Sequence, residues 1–372
     1  MKYLINSPHI SKLEKKYVLN ALNSGWLSVN GKNTKEFEKK ISKFLNINYS
    51  LAVQSGTAAI HLALKSLGCK ANQNVIVPNY TCVSNISAVS QCGAIPIIVE
   101  IERDTLGIDL KQLKIAIKKY KPKILQLVHV YGCPAKNTME IVKVCKKNKI
   151  KLIEDCAHSI GTKYNSRHVG LFGMTGCFSF YPTKQITTGE GGMVITNDKA
   201  VYKKIKMLKA FGIDKDINNR KKPGHYDVKL LGLNYRMTDF QSAMGYAQIL
   251  RYKKNLIKRK SNAKIYYKFL KKIKNINFDE YSNDCSYFIF QIFKKKRDKL
   301  IKALKKNGVG FSIHYAKSLP LMTYYKKKYN YSVTNFKNAL SYSKENISLP
   351  VYPGLKRFQI SRICKILKDT LN

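Results

Sequence analysis

Lys184 is the residue whose surroundings suit its charge least. It lies in CFSFYPTKQITTGEGGM (177–193), after a short apolar run, a proline and a threonine, among aromatic and apolar neighbours with few charges. Desolvation lowers the pKa of an amine and frees its lone pair, so a lysine placed there suits imine chemistry on a carbonyl carbon. Five residues earlier, Ser179 is a candidate phosphate ligand, and Gly189, Gly191 and Gly192 permit close approach of the backbone. A second stretch, QSGTAA (54–59), runs from a strand into a helix through Ser55, Gly56 and Thr57. Gly56 lets the backbone approach an anion, and Thr57 with the free amides of a helix start can hold a phosphate; the same pattern also reads as a plain helix cap. The third, IEDCAH (153–158), ends an apolar run with Glu154 and Asp155, which period-two alternation sends to opposite faces, so one carboxylate enters a site. A buried carboxylate needs a cation or strong hydrogen bonds. A protonated heterocyclic nitrogen would satisfy it, with His158 placed to hydrogen-bond the same ring; a strand-end salt bridge is the alternative. The fourth, LLGLNYRMTDFQSAMG (230–245), sets Asn234, Tyr235 and Arg236 in a turn before a helix capped by Thr238, and this too reads as a structural loop.

A phosphate cradle, a carboxylate for a ring nitrogen and a Schiff-base lysine are together the set that pyridoxal 5'-phosphate requires. The elements that must bring them together are legible as a pattern. Residues 11–24 and 34–46 carry helix-type spacing with a break around Gly31. From residue 51, short apolar runs (51–53, 75–78, 94–100, 123–132, 151–157, 176–182, 191–198) alternate with amphipathic stretches such as 57–68, 109–120 and 137–149. Alternation of that kind predicts an α/β fold with a mostly parallel central sheet covered on both faces. In such sheets ligands bind beyond the carboxyl ends of the strands. After about residue 238 the texture changes to lysine-rich helix (239–274), strand-like pieces at 286–293 and 309–315, and a last helix from about 357. We expect a large cofactor-binding domain over 1–240, with an N-terminal helical segment, and a smaller C-terminal α+β domain over 241–372. The polar, turn-rich segment 212–229 reads as a long loop.

Composition narrows the class. The 372 residues carry 68 basic and 22 acidic side chains, a formal charge of +46. Only 9 of the 68 are arginine, the residue that reads nucleic acid bidentately, and the 59 lysines are spread over helix-like segments as solvated faces. Lysine, asparagine, isoleucine and tyrosine share AT-rich codons, so the charge is read as composition, with no nucleic-acid partner expected. Nine cysteines without a C-x-x-C pair or metal-ligand spacing signal neither a disulfide framework nor a metal site. No apolar run reaches the length of a membrane span and the N-terminus lacks a signal-type apolar core, so a cytoplasmic chain without a membrane partner is expected.

Seven strings in order, GWLSVNGKNTKEFE, SGTAAIHLAL, VHVYGCPA, IEDCAHSIGTKY, GCFSFYPTKQITTGEGGMVITND, LNYRMTDFQSAMGYAQ and SLPVYPGL, carry a resemblance over about residues 5–356. The chain resembles the DegT/DnrJ/EryC1/StrS family of sugar aminotransferases, within fold type I of the pyridoxal phosphate enzymes. Its GWLSVNGK and NYRMT strings look most like the branch acting on nucleotide-linked 4-keto-6-deoxysugars, such as perosamine synthases. The resemblance implies transfer of an amino group from L-glutamate to a keto group, at C4, of a nucleotide-linked keto sugar for surface glycan synthesis. A 3-keto sugar or a small phosphorylated ketone is the alternative acceptor, and a non-catalytic polyanion binder is a remote one; a sugar dehydratase of the family carries His in place of the lysine, which Lys184 argues against. It implies Lys184 as the Schiff-base lysine and proton carrier, Asp155 as partner of the pyridine nitrogen and His158 beside the cofactor hydroxyl. Gly56, Thr57 and Ser179 would hold the phosphate, reached by Asn234 from the other subunit of a homodimer with shared active sites. Two strings depart from the family. PNYTC (78–82) puts Cys82 where relatives stack an aromatic residue on the cofactor ring, leaving Tyr80 as a possible substitute. HYAKSLP (314–320) keeps His314 and Tyr315 but has Pro320 in place of a second histidine, so the sugar-side residues are expected among Tyr80, Tyr181, His314 and Tyr315.

Overall fold

A computed structural model describes residues 3–29, 31–215, 220, 222–332 and 336–371. Its centre is a seven-stranded sheet of β1 (Tyr49–Val53), β2 (Asn74–Pro78), β3 (Ile95–Val99), β4 (Ile124–Val128) and β5 (Lys151–Asp155), completed, after a small hairpin of β6 (Lys163–Tyr164) and β7 (Arg167–His168), by β8 (Thr175–Ser179) and β9 (Gly192–Thr196). The order across the sheet is β1-β9-β8-β5-β4-β2-β3, and β9 alone runs antiparallel to its neighbours. The expected mostly parallel α/β sheet is therefore present.

Alternation along the strands sorts side chains to two faces. Val75, Val77, Ile153 and Cys177 pack on one face, against α3 (Gly56–Ser66), α4 (Val83–Gln91) and later α7 (Lys199–Leu208). Ile76, Leu125, Leu127 and Leu152 pack on the other, against α5 (Leu110–Tyr120) and α6 (Thr138–Lys147). The N-terminal helices α1 (Lys12–Asn23) and α2 (Lys32–Leu45) lie against α8 (Asp239–Leu270). α2 has no side-chain cap of its own at Gly31. Instead Asp239 of α8 accepts the Thr34 N–H at 2.9 Å, and a Cβ on residue 31 would collide with that carboxylate. Gly31, the second glycine of GWLSVNGK, is thus a docking requirement.

At 32 residues, α8 is about 48 Å long and reaches a second core. There Tyr266, Leu270, Leu300, Ile347, Ile360 and Leu367 pack around a sheet of β10 (Asn277–Phe278), β11 (Phe290–Phe293) and β12 (Asn346–Leu349). α9 (Asp298–Lys306) and α12 (Arg357–Leu371) complete this core, whereas α10 (Thr323–Tyr329) returns Tyr325 to the first one and α11 (Lys337–Glu345) packs Ala339 and Tyr342 with Tyr80 and Tyr131. Two pieces differ from expectation. Residues 309–315 form only single bridges, at Val309 to Tyr3 and Ser312 to Ser348, because the chain turns away after one ladder pair. The strand expected over 286–293 starts at Phe290, since 286–288 instead hydrogen-bond residues 131–132. In the expected loop 212–229, Ile213 bridges Val228, while 216–219 and 221 lie outside the described residues. A disulfide joins Cys133 to Cys285, 152 residues apart. Spacing along the chain carries no signal for so remote a pair, so the expectation of no disulfide framework is corrected to this one bond among the described residues. Among them, too, no helix is long and apolar enough to cross a membrane.

Candidate active site

β5 and β8 are adjacent, so Asp155 and Ser179, the last residue of each, reach the same sheet edge. β9 pairs Gly192 with both Ser179 and Val53, which brings the start of α3 to that edge as well. Glycine is required twice in this crossing. A Cβ at Gly56 would stand 2.7 Å from the Ser179 Cβ, and one at Gly192 would overlap the Ser55 carbonyl. Ser55 caps α3 by accepting the Ala58 N–H at 3.0 Å, and the first intrahelical bond runs from Ala59 to Ser55. Gly56 and Thr57, whose amides precede that bond, line a cavity of about 230 Å³ together with Cys82, Asp155, His158, Ser179, Tyr181, Lys184 and Tyr315. The cap at Ser55 thus leaves the first amides of α3 without an intrahelical partner, the arrangement in which a helix start can take an anion.

The two neighbouring carboxylates part as alternation requires. Asp155 enters the cavity; its Oδ1 accepts the Ala157 N–H at 2.9 Å and its Oδ2 the Asn85 side-chain amide at 2.8 Å. Burial raises its pKa, opposed by those two bonds and by the Lys184 and His129 charges. Glu154 turns to the other face, where it accepts His129 Nε2 at 3.0 Å and the amides of Gly170, Phe172 and Gly173 at 2.7, 2.6 and 2.6 Å. His129 Nδ1 in turn accepts the Ala135 N–H at 3.1 Å. Glu154, His129 and Cys156 cluster closely enough for a metal ion. Five N–H groups already occupy the first two, which makes the cluster a clamp on the 170–173 turn.

Lys184 sits in the turn after β8, its backbone N–H bonded to the Tyr181 carbonyl at 2.9 Å. Desolvation lowers its pKa to about 8, with Cys82 and Asp155 opposing. The amine lies 4.7 Å from the centre of the Phe288 ring. His158 stacks on the same ring at 4.2 Å and 12°. Its Nδ1 accepts the Tyr131 N–H at 3.4 Å, and burial, then the Lys184 and His314 charges, push its pKa well down. A neutral ring accepting at Nδ1 carries its proton on Nε2.

Most residues expected at the site thus meet: Gly56, Thr57, Cys82, Asp155, His158, Ser179, Tyr181, Lys184 and Tyr315 share one cavity. Three do not line it. Tyr80 is fully buried, and its hydroxyl donates to the Tyr315 carbonyl at 2.9 Å while accepting the Tyr315 amide and the Asn346 side chain at 2.9 Å. The expectation that Tyr80 stacks on a cofactor or meets the sugar is corrected: its ring belongs to the packing beneath Tyr315. His314 is not among the lining residues; its Nδ1 lies 2.8 Å from Ser348 Oγ, and its ring is near enough to Lys184 and His158 to share their electrostatics. Asn234 is exposed, away from this chain's cavity, and accepts Arg236 Nε at 2.9 Å. Asn85, Gln185 and Phe288 had no signal in the sequence. Gln185 ties the lysine turn to the His158 carbonyl at 2.9 Å and to Ser286 Oγ at 2.7 Å. A cue for Phe288 was available only from the fold, which lays 286–288 against 131–132.

These residues fit pyridoxal phosphate. The glycine crossing leaves room for an anion at open amides, Asp155 is a buried acceptor short of a cation, and Lys184 is a desolvated amine. The DegT/DnrJ/EryC1/StrS aminotransferase family model matches residues 8–368. The chain is 34% identical to the GDP-perosamine synthase of Vibrio cholerae over 99% of both chains. To the spore coat polysaccharide biosynthesis protein SpsC of Bacillus subtilis it is 32% identical over 97% of this chain and 95% of the relative. The putative sugar aminotransferase Spr1654 of Streptococcus pneumoniae in its PLP form superimposes with a TM-score of 0.90 at 26% identity, over 98% of this chain and 97% of that one. By fold, site and sequence the chain belongs to the DegT/DnrJ/EryC1/StrS family of pyridoxal phosphate-dependent aminotransferases.

Proposed function

We propose that the enzyme moves an amino group from L-glutamate to the C4 keto group of a nucleotide-linked keto-deoxysugar, in the cytoplasm, for surface glycan synthesis. The observation that carries this reading is the likeness to GDP-perosamine synthases over 99% of the chain. Bound in the cavity, pyridoxal phosphate supplies the carbonyl that carries the amino group and a ring that spreads negative charge. This chain's residues then divide the work. The Gly56 and Thr57 amides with Ser179 Oγ bind the phosphate. Asp155, held by Ala157 and Asn85, keeps a proton on the ring nitrogen. His158, protonated on Nε2, would hydrogen-bond the ring hydroxyl. Lys184 Nζ would be the amine that holds the cofactor carbonyl and carries the proton at the reacting carbon. Cys82 at the start of α4 lines the cavity beside it. Tyr181, 47% exposed, and Tyr315 stand at the sugar side.

A homodimer completes the site in this reading. Phe211, Val228, Leu231 and Phe240 are exposed around Asn234, an apolar margin suited to a second copy that brings its Asn234 to the phosphate. Residues 1–240 form the cofactor-binding unit and 241–372 the smaller one. The test is glutamate-dependent release of 2-oxoglutarate against a panel of nucleotide-linked 4-keto and 3-keto sugars and small keto phosphates. Turnover confined to a 4-keto-6-deoxysugar is expected; turnover confined to a 3-keto sugar or a keto phosphate would overturn the acceptor.

A further inference from the structure

Phe288 comes from the C-terminal part of the chain to pack against Lys184 and His158, just behind the cavity lining. It is 3% exposed. Its N–H donates to the Tyr131 carbonyl at 2.9 Å, and the buried Arg259 holds the carbonyls of Tyr287 and Phe288, each at 3.3 Å. Three residues before it, Cys285 is tied to Cys133, and the Ser286 N–H bonds the Gly132 carbonyl at 2.6 Å. The backbone is therefore fixed from three directions, and the ring has little freedom. That ring stacks on His158 at 4.2 Å, meets His314 edge-on at 6.0 Å and lies 4.7 Å from Lys184 Nζ.

The groups facing Lys184 are Asp155 and Cys82, which favour its ammonium form, and His158 and His314, whose charging its own charge opposes. Among the described residues no carboxylate forms an ion pair with it. The face of an aromatic ring attracts a desolvated ammonium without fixing it in one hydrogen-bonded place, and a parallel stack holds an imidazole in plane. We propose that Phe288 is a positioning residue for transamination, holding the Lys184 amine over one aromatic surface and setting the plane of the His158 ring.

This inference rests on Lys184 as the reacting amine. Its test reads that amine directly, through competitive acetylation of the full-length, cofactor-free chain across pH, with the Lys184 peptide quantified by mass spectrometry. In Phe288→Leu, apolar but without a ring face, the labelling midpoint is expected to fall by about half to one pH unit. In the cofactor-loaded enzyme kcat is expected to fall, with KM for the sugar unchanged. Phe288→Tyr keeps the ring and is expected to keep both. A folded Leu variant with unchanged midpoint and unchanged kcat overturns the proposal. Should the Leu variant fail to fold, the Tyr variant decides: an unmoved midpoint supports the ring's role, and a midpoint moved by half a unit overturns it. Acetylation of Lys184 needs no sugar, so failure here leaves the assigned transfer standing, and an inactive sugar panel leaves the labelling result intact.

Discussion

The floor and the roof of the cavity are built by different means. The floor is the carboxyl edge of β1, β5 and β8: backbone amides, a carboxylate, a hydroxyl and two glycines where no Cβ fits. The roof is Tyr315, which lines the cavity, backed by a packed aromatic layer of Tyr80, Tyr131, Phe288 and Tyr342 and tied by hydroxyl-to-backbone bonds from Tyr80 to Tyr315 and from Tyr131 to His314. Floor groups keep unused bonding capacity directed at a ligand. Those of the roof spend theirs on one another. Substitutions in the floor should therefore fall on chemistry, and substitutions in the roof on stability and placement.

Lys184→Ala is the largest expected break. Transfer should drop by on the order of 10⁴-fold or more, with the fold unchanged by circular dichroism. A variant that still releases 2-oxoglutarate at the parental rate ends the mechanism. Asp155→Asn comes next, with a loss on the order of 10² to 10³-fold because the ring nitrogen loses its ionic partner. Its stability sharpens the contrast. The amide keeps the Ala157 bond and sheds a buried charge, and Asn85, whose Oδ1 is buried without a partner, can turn to accept from it. Urea unfolding of the cofactor-free variant should show stability equal to the parent or up to about 1 kcal/mol higher. Tyr80→Phe is expected to reverse that pattern. It strips partners from the Tyr315 amide and carbonyl and from Asn346, costing about 1–3 kcal/mol in urea, with only a several-fold loss of kcat. A Tyr80→Phe protein as stable as the parent would show that the roof is not held in this way.

The same division explains what the sequence could tell. Floor residues are legible because strand, turn and helix start dictate them locally. Lys184 in apolar company, Gly56 between strand and helix, and Asp155 one residue from Glu154 are all patterns within a few positions. The order of the strands places them at one edge without further information. Roof residues depend on contacts between distant segments. Phe288 meets Lys184 across 104 positions of sequence, and the Cys133–Cys285 bond spans 152. Tyr80 is deceptive for the same reason: its neighbours in sequence suggest a site residue, while its partners, Tyr315 and Asn346, lie more than 200 residues on.

The smallest expected effect separates Asp155 in the floor from His314 beside the roof by the sign of a pH dependence. His314 has its pKa pushed down to about 4, first by burial and then by the Lys184 charge. A histidine depressed below its unfolded value near 6.5 binds its proton more readily in the unfolded chain. The stability it supports is complete above pH 6.5 and is lost as pH falls towards 4, reaching about 1 kcal/mol by about pH 5.5. His158, depressed by the same causes, acts in the same direction. Asp155 acts in the opposite one. Its raised pKa means that the folded chain takes up a proton first, so acidification relieves a cost that it imposes at neutral pH. Urea unfolding of the cofactor-free protein at about pH 7 and about pH 5.5 should therefore show a smaller acid loss for His314→Gln than for the parent, and a larger one for Asp155→Asn. If both variants changed the acid loss in the same direction, Asp155 and His314 would not be electrostatically opposed, and the desolvated placement of His314 beside Lys184 would have to be abandoned.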